Sequence, residues 1–247
     1  MNFIILGAGP GLPLPDKCLS SIYVNHGDRH FLFDCGEGCS RQLLRHGLSG
    51  EVLDAVFISH FHPDHISGIF MLIQMLYLQK RSKDLFLFLP ERETEFEALL
   101  QYQYTFLEKL GFKLHILSND SIRDHFPQIH AMQTDHLWGY EELVTALDLP
   151  NQMRSWAFRI GEPGGDLVYT ADIQSTDCVA SLLQGCHTAI VDAMHPPLEQ
   201  ILKLADNGIP RVLLTHGLSE ELELWLQHHQ ADNFELAMED IGYHIEL

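Results

Sequence analysis

Along the chain, short apolar runs rich in β-branched and aromatic residues stop abruptly at a polar residue, then give way to a glycine turn or to apolar residues recurring every three and four positions. The runs at 3–6, 31–33, 52–59, 167–170, 189–191 and 212–215 predict strands. The three-and-four spacing predicts helices over 37–46, 66–80, 91–110, 176–183, 197–205 and 219–228. Strands alternating with helices imply a layered α/β architecture. No internal repeat, low-complexity tract or long linker interrupts it, so residues 1–247 read as a single domain. The segment 135–152 mixes polar and aromatic residues and reads as a loop over a site.

The residues just beyond the strands change the picture from architecture to chemistry. They are Asp34, His60, Asp172, Asp192 with His195, and His216. In α/β folds, ligand groups collect at the carboxyl ends of strands, and several Asp and His residues delivered there point to one convergent site. Composition narrows the partners. Lys plus Arg total 15 against 34 Asp plus Glu, a net charge of −19, so the average field repels polyanions, and no basic run offsets it. No apolar stretch approaches the ~20 residues a membrane helix needs, and the start MNFIILGAGPG lacks a basic n-region. The five cysteines are scattered without a Cys-x-x-Cys pair, which suits a reducing cytoplasm. GAGPG lacks both the dinucleotide spacing and the lysine of a phosphate loop.

The densest chemistry is Ser59-His60-Phe61-His62-Pro63-Asp64-His65, directly after an apolar strand. In extended chain, residues two apart face the same way, so His60 and His62 can grip one cation while a turn brings Asp64 and His65 to a second. Imidazole and carboxylate donors favour two divalent ions of the Zn²⁺ type, with Mn²⁺ or Fe²⁺ as the other candidates.

With that motif the chain resembles the metallo-β-lactamase superfamily, whose signature is His-x-His-x-Asp-His. The blocks FIILGAGPG, LFDCGEGCSRQLL and FISHFHPDHISG resemble the ribonuclease Z branch in the same order. The resemblance implies an αββα sandwich of two mixed β-sheets with helices on the outer faces. It implies His136 as a further ligand of the first metal, Asp172 as the bridge and His216 as a ligand of the second. It also implies Asp64 as a catalytic as well as a ligating residue, and His195 in VDAMHPP as the acid that protonates the leaving group. Asp192 would orient His195. Asp34 would orient a ligating imidazole, although an Asp before Cys35-Gly36 also suits a turn.

Two metals bridged by Asp172 and solvent generate hydroxide and clamp the oxygens of a displacement at phosphorus, which fits phosphodiester hydrolysis. Three departures from ribonuclease Z shift the expected substrate from RNA toward a small or cyclic phosphodiester. Residues 135–157 contain no Gly- and Lys-rich arm, Pro196-Pro197 stand where that branch has Ser-Thr, and the net charge is −19. The alternatives are a transfer-RNA 3′ endoribonuclease, a lactone or thioester hydrolase on the same metals, and a non-catalytic metal-binding scaffold. Homodimerisation is left open.

Overall fold

The strands β1 (Asn2–Gly7), β2 (Ser21–His26) and β3 (Arg29–Phe33) pair antiparallel, and β4 (Ala55–Phe57), β5 (Leu85–Leu89) and β6 (Leu114–Ser118) extend the sheet in parallel. A last strand, Gly242–His244, lies antiparallel to β1 and closes a mixed sheet of seven strands. The β2–β3 turn needs only Gly27-Asp28, because Gly27 takes φ 63°, the left-handed value a tight hairpin demands. In the computed structural model, which describes residues 1–48 and 50–245, this sheet belongs to one of two units, formed by Asn2–Ser121 and Glu239–His244. Its helices are α1 (Cys39–Arg45), α2 (Pro63–Ile66), α3 (Ile69–Leu78) and α4 (Glu93–Tyr102). On α3 the buried residues Ile69, Leu72, Ile73 and Leu76 recur at helical spacing and pack in a core with Leu32, Val56 and Leu87.

Two expected helices prove to be divided. The stretch 66–80 breaks at Gly68, where a Cβ would come within 2.2 Å of the Gly36 carbonyl oxygen. The stretch 91–110 ends at Tyr102 because Tyr104 turns left-handed at φ 59° and the Thr105 N–H donates back to the Leu100 carbonyl at 2.9 Å, a Schellman closure.

The other unit comprises Met1, Ile122–Met238 and Ile245 among the described residues. Here β7 (Ile129–Gln133), β8 (Trp156–Ile160) and β9 (Leu167–Tyr169) pair antiparallel, and β10 (Thr188–Asp192), β11 (Arg211–Thr215) and β12 (Phe234–Leu236) follow in parallel, a second mixed sheet. Its helices are α5 (Ile122–His125), α6 (Glu141–Ala146), α7 (Ala180–Leu183), α8 (Leu198–Asp206) and α9 (Glu220–His228). Ile201 and Leu204 of α8 join Val168, Val191 and Leu214 in this unit's core. Ser219 caps α9 by accepting from the Leu222 N–H, and Ser175 accepts from the Asp177 N–H at the start of the 176–179 turn. The segment expected as a loop, 135–152, holds a 3-10 turn, Trp138–Tyr140, and α6. No described helix is long and apolar enough to cross a membrane.

Candidate metal centre

In the first unit the site begins where the buried strand β4 runs out. His62 is extended (φ −63°, ψ 142°), and Pro63 occupies the first turn of α2, where its fixed φ starts a helix and its missing N–H costs nothing. That switch from extended to helical chain carries Asp64 and His65 round while the His65 N–H bonds the His62 carbonyl at 3.0 Å. The His60 ring centroid lies 4.7 Å from His62 and 4.1 Å from His65, and His65 Nε2 is 3.4 Å from Asp64 Oδ2.

Asp34, fully buried, fixes this arrangement. Its Oδ2 is 2.7 Å from His65 Nδ1 and accepts the Ser59 hydroxyl at 2.8 Å, while its Oδ1 accepts the Ser59 N–H at 2.7 Å. Ser59 Oγ in turn lies 3.0 Å from His60 Nδ1. Two imidazoles are thus held through Nδ1, the arrangement that suits metal ligation through Nε2. Ser59 escaped the sequence reading, although a hydroxyl immediately before the His-x-His was its signal. Asp34 takes φ 56°, and the segment behind it is tightly laced. The Cys35 N–H bonds the His65 carbonyl and the Gly68 N–H bonds the Cys35 carbonyl, both at 2.8 Å. A Cβ on Gly36 would lie 2.3 Å from the Asp64 carbonyl oxygen, so this glycine is dictated by the close approach of the metal motif.

In the second unit the functional side chains come from separate strand ends. Asp172 is the hub, with its Oδ2 3.5 Å from His136 Nε2, 3.3 Å from His216 Nε2 and 4.0 Å from His195 Nδ1. His136 follows β7, Asp172 follows β9, His195 follows β10 and His216 follows β11. Parallel pairing of Asp192 with Thr215 and of Ile190 with Tyr169 sets these ends level. Thr134 anchors the turn before His136 through its N–H to the Ser155 carbonyl and its hydroxyl to Ser155 Oγ, at 2.8 and 2.7 Å. Ala171 and His216 both hold left-handed backbone, φ 48° and 66°, a conformation costly for side-chain-bearing residues and concentrated at functional sites. His195 Nδ1 is 2.8 Å from Asp192 Oδ2, and Asp192 Oδ1 accepts the Met194 N–H at 2.9 Å. The fully buried Asp192 therefore fixes both the ring and the loop that carries it.

Every donor gathered in either unit is an imidazole or a carboxylate, a set suited to borderline divalent ions. Thiolates do not enter. Burial pushes the Cys35 thiol well above its ordinary value and those of Cys178 and Cys186 up to about 12, so all three are protonated at neutral pH.

Comparison with known proteins agrees with this chemistry. The profile of the family described as anti-Pycsar protein Apyc1 matches residues 1–235. Ribonuclease Z of Clostridium perfringens is 34% identical over 121 residues, 49% of this chain and 37% of that protein. Ribonuclease Z of Picrophilus torridus is 27% identical over 216 residues, 82% of this chain and 69% of its own length. The chain spans less than half the length of the first of these, and 45% of ribonuclease Z from Methanosarcina acetivorans. Among solved structures, the metallo-β-lactamase fold protein YhfI of Bacillus subtilis superposes with a TM-score of 0.73 at 21% identity, covering 98% of each chain. The fold is that of the metallo-β-lactamases, α/β with two mixed sheets, as the motif implied.

Proposed function

The chain belongs to the anti-Pycsar protein Apyc1 family, and from that premise we propose that it is a metal-dependent phosphodiesterase that uses two divalent ions. His60, His62, Asp64, His65, His136, Asp172 and His216 are the proposed ligands of those ions. Bound there, two divalent ions supply Lewis acidity that polarises phosphate oxygens and acidifies water. The observation that carries the reading is Asp172, a single carboxylate facing two imidazoles at 3.3 and 3.5 Å with a third, His195, at 4.0 Å. That is more basic nitrogen than one buried acid needs for a structural role.

His195 performs the step that the ligands do not. Held through Nδ1 by Asp192 at 2.8 Å, its ring presents Nε2 to carry the mobile proton to the leaving alkoxide oxygen. Asp192 fixes the tautomer and stabilises the imidazolium form, so the proton is placed rather than drawn from bulk water. Asp64 contributes as a ligand and as a carboxylate beside the reacting phosphate. Asp34 and Ser59 keep His60 and His65 from rotating.

The substrate supported best is a small or cyclic phosphodiester in the cytoplasm. With a charge of −19 the protein gains nothing from a polyanion's length, whereas one phosphate can be held by the metals alone. The family profile spans 1–235, while the ribonuclease Z of C. perfringens aligns with 49% of the chain. The names of those relatives favour a second reading, transfer-RNA 3′ processing. A panel on zinc- or manganese-loaded protein decides: faster turnover of a cyclic nucleotide or bis(p-nitrophenyl) phosphate than of a thioester or lactone is expected. Specific cleavage of precursor transfer RNA with no action on small diesters would install the second reading. Sedimentation of the same sample checks for a homodimer.

A further inference from the structure

Between β1 and β2 the chain leaves the sheet over residues 8–20, far more than the antiparallel pairing of those strands requires. The excursion is pinched at a neck, where the Gly9 N–H donates to the Cys18 carbonyl at 2.9 Å. A Cβ on Gly7 would lie 1.9 Å from the Leu19 carbonyl oxygen, and one on Gly9 would lie 2.8 Å from that of Cys18, so only glycine lets the two legs come this close. Beyond the neck, residues 10–15 read Pro-Gly-Leu-Pro-Leu-Pro. The prolines stiffen this stretch, and none of its side chains can make a hydrogen bond.

The tip of the loop stands at the metal motif. A Cβ built on Gly11 would come 3.3 Å from Asp64 Oδ2 and 3.7 Å from Asp64 Cγ, the neighbours it would meet within 4 Å among the described residues. The same Oδ2 faces His65 Nε2 at 3.4 Å. The loop backbone therefore bears on the carboxylate of a proposed ligand. What keeps it there comes from the far end of the chain. Glu239 Oε1 accepts the Ala8 N–H at 3.1 Å and the Cys18 N–H at 3.0 Å, and Oε2 lies 3.2 Å from the same Cys18 nitrogen. One carboxylate thus staples both legs of the neck, and its charge makes both bonds stronger than an amide oxygen would. The next residue anchors the staple: the Asp240 N–H donates to the Ile5 carbonyl at 3.2 Å, and Asp240 Oδ1 accepts from Gln42 Nε2 at 3.0 Å. All of these residues belong to the first unit.

We propose that Glu239 is a positioning residue for the metal site. By closing the neck of the 8–18 loop it seats Gly11 on the Asp64 carboxylate and fixes the rotation of that carboxylate. Glu239 itself touches neither ion nor substrate. The inference rests on Asp64 being a metal ligand, as the phosphodiesterase reading has it, and adds to that reading a residue marked by neither the motif nor a strand end.

Zinc affinity of the full chain, measured by competition with a chromophoric chelator, reads the effect without any substrate. Glu239→Ala should weaken it about tenfold, the scale on which groups that orient ligands act. Glu239→Gln keeps one oxygen able to accept both N–H groups and should stay within about threefold of the parent. Amide exchange locates the change: the Ala8 and Cys18 protons should exchange faster in Glu239→Ala, and those of β4 at the parent rate. Loss of protection in β4 as well would make Glu239 a residue of general stability and overturn the proposal. The decisive measurement is a double-mutant cycle with Gly11→Val, which crowds Asp64 from the loop and leaves the neck intact. Gly11 is not left-handed, so its backbone accepts valine. Alone, Gly11→Val should weaken zinc binding about tenfold. Combined with Glu239→Ala the released loop can retreat, and the pair should lose little more than either variant alone. Independent losses that multiply to about a hundredfold would overturn the proposal, as would Glu239→Gln falling as far as Glu239→Ala. Hydrolysis of bis(p-nitrophenyl) phosphate should fall in the same order as the zinc affinities. If the parent hydrolyses no diester, the phosphodiesterase reading fails, while the zinc affinities still decide the role of Glu239.

Discussion

The two units solve one problem in two ways. Each joins an antiparallel set, four strands in the first and three in the second, to three strands in parallel, and each gathers its imidazoles and carboxylates just past strand ends. In the first unit, four such residues fall within His60 to His65 and are shaped by local backbone: an extended His-x-His, a proline-started turn, and one buried acid behind. In the second, His136, Asp172, His195 and His216 are spread over 81 residues of sequence and meet because four parallel or antiparallel registers bring their strand ends level. A local cluster survives small shifts in packing, whereas a dispersed one is only as good as the register beneath it. The Asp172 hub and the strained Ala171 and His216 backbones mark where that dependence is concentrated.

The comparison breaks most visibly at the ligands. His60→Ala combined with His62→Ala should remove metal and abolish activity beyond 10⁴-fold, the scale on which metal acidification of water acts. Asp172→Ala should do the same, with both outcomes read by elemental analysis and diester hydrolysis. Unchanged metal content in the His60/His62 variant would mean that the local cluster does not bind.

His195→Ala separates chemistry from metal binding. With both ions retained, kcat should fall by about 10² to 10⁴ for a substrate with a poor alkoxide leaving group. For p-nitrophenolate, already stable as an anion, the loss should shrink, and equal small losses on both substrates would reduce His195 to a packing role. Smaller again are the residues that orient. Asp34→Asn should weaken metal affinity or activity by about 10- to 100-fold, because His65 and, through Ser59, His60 lose their anchor. Asp192→Asn should reduce kcat alone, since the acid it holds is not among the ligands of the proposed site. Metal titration beside steady-state kinetics tells these apart.

The same contrast explains what could be read from the chain. The cluster His60 to His65 was legible because its geometry is written in consecutive residues, and the strands ending at Asp34, Asp172, Asp192 and Thr215 were legible because polarity changes abruptly there. The strand β5, sequence LFLFL, was not among the expected strands; a continuous apolar run carries no alternation to distinguish it from helix core. The divided helices were missed because the causes lie elsewhere in sequence: Gly68 yields to the Gly36 carbonyl, and Tyr104 takes a left-handed turn that its side chain does not advertise. The role of Asp34 toward His65 spans 31 residues, and the motif resemblance, not spacing, suggested it.

At the strand starts, the units also differ in a way stability measurements can sharpen. Asp166, ahead of β9, is fully buried against Arg159 and accepts the His187 N–H at 3.0 Å. Removing the carboxylate by Asp166→Ala leaves the partly buried Arg159 with only the Leu182 and Gln184 carbonyls as acceptors and should cost about 2 to 3 kcal/mol. Asp54, ahead of β4, meets solvent-exposed partners: Arg29 at 2.9 Å and Lys83 at 3.0 Å, with the His30 N–H at 2.9 Å. Burial alone would raise its carboxyl, but the His30 N–H and the Lys83 and Arg29 charges outweigh burial and hold it below the ordinary carboxylate value. Asp54→Asn should therefore cost less, about 1 to 2 kcal/mol at pH 7. Because the folded state favours the charged form, this contribution is complete above the unfolded carboxyl value of about 4 and is lost as pH falls through the lower folded value. Urea titrations of parent and variant should diverge at pH 7 and converge toward pH 3. A gap that persists undiminished in acid would show that Asp54 acts through packing rather than charge.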